Sequence, residues 1–169
     1  MRGIARAQQV DPEGRLLYTL YSIPSDEDPV HDVTDAEDSE RWAFVHVLDL
    51  EKGIDICIFL PTPMGERAEA TVGLGLTPDG STLWVVDPST SHVARIDTAS
   101  LEITDVYVVP ELNGDVDRAR VAAADDGTLY VALNARIHEF APDALDPLRL
   151  TRTAVWASSG GTNRPLAVD

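Results

Sequence analysis

Leu76-Thr77-Pro78-Asp79-Gly80-Ser81-Thr82-Leu83-Trp84-Val85-Val86-Asp87, followed by Val93-Ala94-Arg95-Ile96-Asp97, is the stretch that decides the fold. Residues 77–81 spell a hairpin turn in which Gly80 takes the positive φ. Residues 82–86 are β-formers and predict a strand. Asp87-Pro88-Ser89-Thr90-Ser91 is a second turn, and 93–97 a third strand. Upstream, 72–76 reads as a strand of small residues. Downstream, 101–109 is a fourth strand that stops at Pro110.

The same signal occurs twice more. Asp11-Pro12-Glu13-Gly14 precedes Leu17-Tyr18, and Asp125-Asp126-Gly127 precedes Leu129-Tyr130. Around the first turn the expected strands are 5–10, 16–21, 43–50 and 54–60; around the third they are 121–124, 129–133, 137–140 and 148–156. Gly80 and Gly127 are 47 residues apart, and Gly14 and Gly80 are 66 apart. An acidic stretch at 24–41 accounts for the longer interval. Four strands recurring at this spacing have the length of a propeller blade.

With those residues in place, the middle repeat resembles the YVTN-type β-propeller repeat: a Pro-Asp-Gly turn, a Leu-aromatic-Val strand, and a strand ending in Ile-Asp. The first repeat keeps Pro12-Glu13-Gly14, Leu17-Tyr18 and Leu48-Asp49. The third keeps Asp126-Gly127, Leu129-Tyr130-Val131 and Phe140. The resemblance implies an all-β fold, a partial β-propeller of three four-stranded antiparallel blades plus one extra first strand. It implies no single reaction. Blade 1 is expected at 1–61 with the acidic insert at 24–41, blade 2 at 62–110 and blade 3 at 111–157. Residues 158–169 are expected to supply a connecting loop and, from Arg164 to Asp169, the first strand of a further blade. Gly14, Gly80 and Gly127 are the turn glycines, and Tyr18, Trp84 and Tyr130 recur once per blade as packing residues between sheets.

Propellers close with four to eight blades, and three alone leave strand edges and an apolar blade face uncovered. Either the blades of two or more chains close one ring, or the chain is a piece of a larger propeller. The expected partner is therefore a second copy or the rest of such a propeller, with a further protein partner open.

Composition narrows the function classes. The chain has 169 residues with 13 basic and 29 acidic side chains, for a net charge of −16. That charge excludes nucleic acid and anionic membrane as partners, because both need cationic surface. Lys52 is the only lysine. No apolar segment follows Arg2 and Arg6 to make a signal peptide, so the expected compartment is the cytoplasm, or the exterior if the chain is a fragment of a secreted propeller. A single cysteine, Cys57, forms no internal disulfide and no CxxC motif, and is expected as a buried, inert thiol.

Candidate site residues are few. Inner strands line a propeller's channel, which nominates Arg6, Gln8, Gln9 and Arg120 for an axial ligand. The alternative is a metal-dependent propeller lactonase or hydrolase, which needs Glu, Asn, Asp or His converging from inner strands. Residues 5–10, 72–76 and 121–124 contain none of these four types. His46 and His138 fall at equivalent third-strand positions where the middle repeat has Ala94, so repetition explains them without a shared site. No HExxH or GxSxG motif is present. The insert concentrates eight of the 29 acidic residues. Its Asp26, Asp28, Asp32 and Asp35 are hard oxygen donors suited to Ca²⁺, but the sixth-position Gly of an EF-hand loop is missing. The plain reading is a solvated rim loop with no cofactor. The glycines of Ser158-Ser159-Gly160-Gly161-Thr162-Asn163 read as a blade-to-blade connection, as does Pro61-Thr62-Pro63-Met64-Gly65.

Overall fold

A computed structural model describes residues 3–23, 40–67, 72–112, 119–141 and 148–155, and the backbone at 30–31. The first sheet takes β1 (Ile4–Val10), β2 (Leu16–Ser22), β5 (Ala43–Asp49) and β6 (Ile54–Phe59) in that spatial order, with the short pair β3 (Val30–His31) and β4 (Glu40–Arg41) set apart. The second contains β7 (Gly73–Leu76), β8 (Thr82–Asp87), β9 (His92–Asp97) and β10 (Glu102–Val108). The third contains β11 (Ala119–Ala123), β12 (Leu129–Leu133), β13 (Arg136–Ala141) and β14 (Arg149–Val155). Each is a four-stranded antiparallel meander. The only helical piece among the described residues is a 3-10 turn at Pro110–Leu112. The expected extra strand at Arg164–Asp169 lies outside the described residues.

The repeats superpose row by row. Tyr18, Trp84 and Tyr130 stand opposite Val47, Arg95 and Glu139, while Thr19, Val85 and Val131 stand opposite His46, Ala94 and His138. Because side chains alternate across a strand, each sheet has a forward face toward the next sheet and a rear face toward the preceding one. Tyr18, Leu20, Val45 and Val47 on the forward face of blade 1 pack against Leu83, Val85, Ala94 and Ile96 on the rear face of blade 2. Trp84, Val86 and Val93 on the forward face of blade 2 pack against Leu129, Val131 and Phe140. β8 is therefore buried on both faces, which is why it reads as a continuous apolar run instead of an alternating one. Each fully buried Leu, Ile or Val in these seams contributes about 1.5–3 kcal/mol.

The first strands converge. β7 lies between β1 and β11, and its glycines allow the approach. A methyl on Gly73 would sit 2.7 Å from Val121 Cγ2, and one on Gly75 2.6 Å from Val121 Cγ1. The outermost strands β6, β10 and β14 face solvent, with β10 alternating residue by residue, and leave Ile54, Ile56, Val106, Val108 and Val155 exposed.

A buried carboxylate fastens the crossing from blade 1 to blade 2. Asp87, with no exposed surface, accepts hydrogen bonds from the Gly65 N–H at 2.8 Å, the Ser89 N–H at 3.0 Å and the Thr90 hydroxyl at 2.9 Å. It also accepts the Ser89 hydroxyl. Such a group is tolerable in the interior only because its lone pairs are filled. The acidic insert is hydrogen-bonded at its base. Val30 and His31 pair with Arg41 and Glu40, the Ile23 N–H donates to the Trp42 carbonyl at 2.8 Å, and the Thr62 hydroxyl donates to the Glu40 carbonyl at 2.9 Å. Asp26, Asp28, Asp32 and Asp35, named as calcium donors, lie outside the described residues, as do the glycines at 160 and 161.

Candidate functional site on the turn rim and inner strands

The hairpins joining first to second strands share one construction. The N–H groups of Gly14, Gly80 and Gly127 donate to the carbonyls of Asp11, Thr77 and Ala124 at 3.0, 2.8 and 3.0 Å, with glycine φ of 72°, 73° and 85°. A side chain closes each turn. Asp79 accepts from the Ser81 N–H and hydroxyl, and Asp126 accepts from the Thr128 N–H. Blade 1 has Glu13 at that position, and there Asp11 accepts from the Arg15 and Leu16 N–H groups instead. The turns between third and fourth strands are closed by Asp49, which accepts from Glu51 N–H, Lys52 N–H and Lys52 Nζ, and by Asp97, which accepts from Ala99 N–H and from the N–H and hydroxyl of Ser100.

These bonds favour the ionised form. The carboxyls of Asp49, Asp79, Asp97 and Asp126 are held below the usual range, in each case first by a backbone N–H two or three residues on. The two turns of a blade are tied to each other: Leu50 N–H to the Arg15 carbonyl, and the Thr98 N–H and hydroxyl to the carbonyls of Ser81 and Gly80. Adjacent blades touch here as well, since a methyl on Gly80 would meet Pro12 Cδ at 2.7 Å. The result is a stiff rim that leaves Pro12, Glu13, Arg15, Pro78, Asp79, Asp125 and Asp126 exposed.

Three of the four axial candidates are hydrogen-bonded, each to a different neighbour. Arg6, at the bulge between Ala5 and Ala7, donates through Nε to the Ser22 hydroxyl at 2.6 Å. Gln8 donates to the Thr19 hydroxyl at 3.2 Å on the rear face of blade 1. Gln9, one residue on and therefore on the forward face, crosses to β7 and donates to the Leu74 carbonyl at 3.3 Å. Arg120 is half-buried on the forward face of blade 3, opposite Ala132.

His46 and His138 share a row but not an environment. His138 is buried between blades 2 and 3, 6.3 Å from the Phe140 ring and 3.3 Å from the Thr153 hydroxyl. Burial, then the nearby Arg136, lowers its pKa, with Glu111 opposing. His46 lies on the rear face of blade 1 with Nε2 3.3 Å from Asp55 Oδ2. Cys57 stands opposite His46 in the ladder and is half-buried, less enclosed than expected. Burial and then Asp55 push its thiol up, so it stays protonated and is a poor nucleophile.

One cluster escaped the sequence reading. Arg95 lies over the Trp84 ring at 5.9 Å and reaches Asp105 at 3.6 Å, and Tyr107 sits 6.4 Å from the same ring. The cross-strand register Trp84–Arg95 and the bulge after Ile103 assemble it. Two packing aromatics also carry buried polar tips without a hydrogen-bond partner, Tyr18 Oη and Trp84 Nε1. Among the described residues, no group of three or more His, Cys, Asp or Glu side chains is disposed to hold a metal ion.

Solved structures with this architecture are numerous. Hydrazine synthase of Kuenenia stuttgartiensis aligns over 92% of this chain with a TM-score of 0.55 and 14% identity. AztD of Citrobacter koseri aligns over 92% with a TM-score of 0.58 and 17% identity. A luciferin-regenerating enzyme aligns over 89% with a TM-score of 0.53 and 18% identity. The chain is a partial β-propeller. It spans 38%, 36% and 45% of those three chains, so it corresponds to less than half of each. At these identities the likeness is one of fold alone. No protein-family model and no curated protein sequence matches it.

Proposed function

We propose that the chain is a YVTN-type propeller segment that serves as a non-enzymatic binding scaffold, working through its rim loops and axial face and completed by self-association. The observation that carries this reading is the rim. Its turn carboxylates are committed to backbone N–H groups, the paired turns are cross-tied, and the blades touch through Pro12 and Gly80. A stiff frame presenting exposed acidic side chains suits docking of a basic partner. The Pro78-Asp79-Gly80 turn, and β9 ending at Ile96-Asp97, support the YVTN type. The unpaired thiol of Cys57 fits a reducing cytoplasm.

Calorimetric titration of the full chain with an oligo-arginine peptide tests the scaffold. Binding is expected to weaken with salt and to fall when Glu13→Gln and Asp125→Asn neutralise the rim outside the turn-closing set. Binding indifferent to both changes would refute the rim as the site. Lactone or ester hydrolysis abolished by a chelator would favour the competing reading, a metal-dependent propeller hydrolase.

A further inference from the structure

The rear face of blade 1 and the forward face of blade 3 are the two faces with no blade against them among the described residues. We propose that they are each other's partners: the forward face of blade 3 in one copy packs on the rear face of blade 1 in a second copy, and two chains close a six-bladed ring. This deepens the scaffold reading and rests on it for the fold's purpose, not for the geometry.

Continuity with the two existing seams is the first argument. On rear faces, the rows Leu83/Ile96 and Val85/Ala94 are buried against blade 1, and Leu129/Phe140 and Val131/His138 against blade 2. The same rows in blade 1 are Leu17/Leu48 and Thr19/His46. Beside them Tyr21, half-buried, stacks at 5.1 Å on Phe44, which is already buried in the single chain and meets the half-buried Phe59 at 6.1 Å. On forward faces, Tyr18 is 0% and Trp84 5% exposed, each covered by the next blade. Tyr130 occupies the same row and is only half-buried, with Ala132 and Ile137 beside it where blade 1 has Leu20 and Val45.

Charge is the second argument. By register, Arg152 takes the place on blade 3 that Ile56 takes on blade 1, and Asp55 takes the place on blade 1 that Ile103 takes on blade 2. At the outer edge of the blade 1–2 seam these two positions are Ile56, 46% exposed, and the half-buried Ile103, whereas at the outer edge of the proposed seam they are an arginine and an aspartate, both exposed in the single chain. Arg120, opposite Ala132, adds a second cation on that forward face, where Glu139 stands opposite Arg152, in a chain with 29 acidic and 13 basic residues. Two copies joined this way form two identical seams and close without a free face. Six blades lie within the range in which propellers close.

The test is the mass of the full chain in solution, followed by a charge swap. Light scattering at micromolar concentration is expected to give twice 18.3 kDa. Asp55→Arg or Arg152→Asp alone is expected to weaken the dimer at least about tenfold, and the double variant to restore most of that loss. Both side chains are exposed, so far-UV circular dichroism should be unchanged in every variant. A single-chain mass for folded wild type, a larger assembly, or a dimer indifferent to both reversals would overturn the ring. A monomer that still binds the basic peptide would leave the rim standing as the binding site and remove self-association together with the ring.

Discussion

Substituting Gly75→Ala tests the claim that blades 2 and 3 are held at a distance set by the absence of a side chain on β7. The added methyl would lie 2.6 Å from Val121 Cγ1 and 3.2 Å from Val121 Cβ, well inside the roughly 3.5–4.0 Å optimum for carbon contacts. Val121 is 8% exposed and belongs to the blade 2–3 core, so it has little room to retreat. Overpacking of this kind costs about 1–3 kcal/mol. Alanine offsets about 0.4–1 kcal/mol of that by restricting the unfolded chain. The expected net loss is about 1–2 kcal/mol, or a fall in Tm of about 2–8 °C at roughly 2–4 °C per kcal/mol for a chain of this size. Val121→Ala alone removes two buried methyl groups and leaves a void, for about 1.5–3 kcal/mol. In the double variant the new methyl occupies the space the valine vacated, so the two losses should fall short of their sum by about 1–2 kcal/mol. Urea unfolding of the wild type, both single variants and the double variant completes the cycle. Losses that add to within about 0.5 kcal/mol, or a Gly75→Ala chain as stable as wild type, would refute the reasoning.

Three further outcomes are expected. Asp87→Ala strips a buried acceptor from Gly65, Ser89 and Thr90 and should cost about 2–4 kcal/mol by urea unfolding, with Asp87→Asn recovering part of it; equal losses for both would place the effect elsewhere. Tyr18→Phe removes a buried hydroxyl beside the Thr98 hydroxyl, which already donates to the Gly80 carbonyl. Its stability should be unchanged or rise by up to about 1 kcal/mol, and a clear loss would show that Tyr18 donates to Thr98. Because burial holds the folded-state pKa of His138 below its ordinary value, the unfolded chain takes up that proton first as pH falls below about 6.5. This destabilisation grows until the folded histidine is protonated too. His138→Gln should therefore flatten the fall in urea midpoint between about pH 7 and pH 5.5, and an unchanged slope would contradict the assignment.

The turns and strands were legible because their signals are local. Pro78, Asp79 and Gly80 each act within a few residues, and the alternation beyond them shows in any short window. The observed strands start and stop within about two residues of the expected ones, a margin inherent in such boundaries. The row equivalence of His46 and His138 was legible too, since it needs only counting from each turn glycine. Their different fates were not. His138 meets blade 2 while His46 faces away from blade 2, a fact of the neighbour and not of the repeat. The same applies to Tyr130, read as a packing residue between sheets yet standing on a face no described blade covers. Gly73 and Gly75 registered only as small residues, because the side chain that requires them, Val121, lies more than 40 positions along. Asp87 looked like an ordinary turn residue until Gly65 was seen to hang from it. Gln8 and Gln9, neighbours on one strand, point to opposite faces and bond to Thr19 and to the Leu74 carbonyl.

Gly73 and Gly75 have a consequence for how far the repeats can be treated as interchangeable parts. Blade 1 meets blade 2 through Gln9 on the Leu74 carbonyl and Gly65 on Asp87, whereas blade 2 meets blade 3 through two bare glycines against Val121. With the acidic insert left out the period in the sequence is nearly uniform, yet each seam carries its own cut, and the cuts do not match one another. A chain with its blades shuffled would keep every turn and every strand and still present valine to glutamine, or a methyl to a methyl, where a fit is required. The order of the blades is thus written in their mismatches.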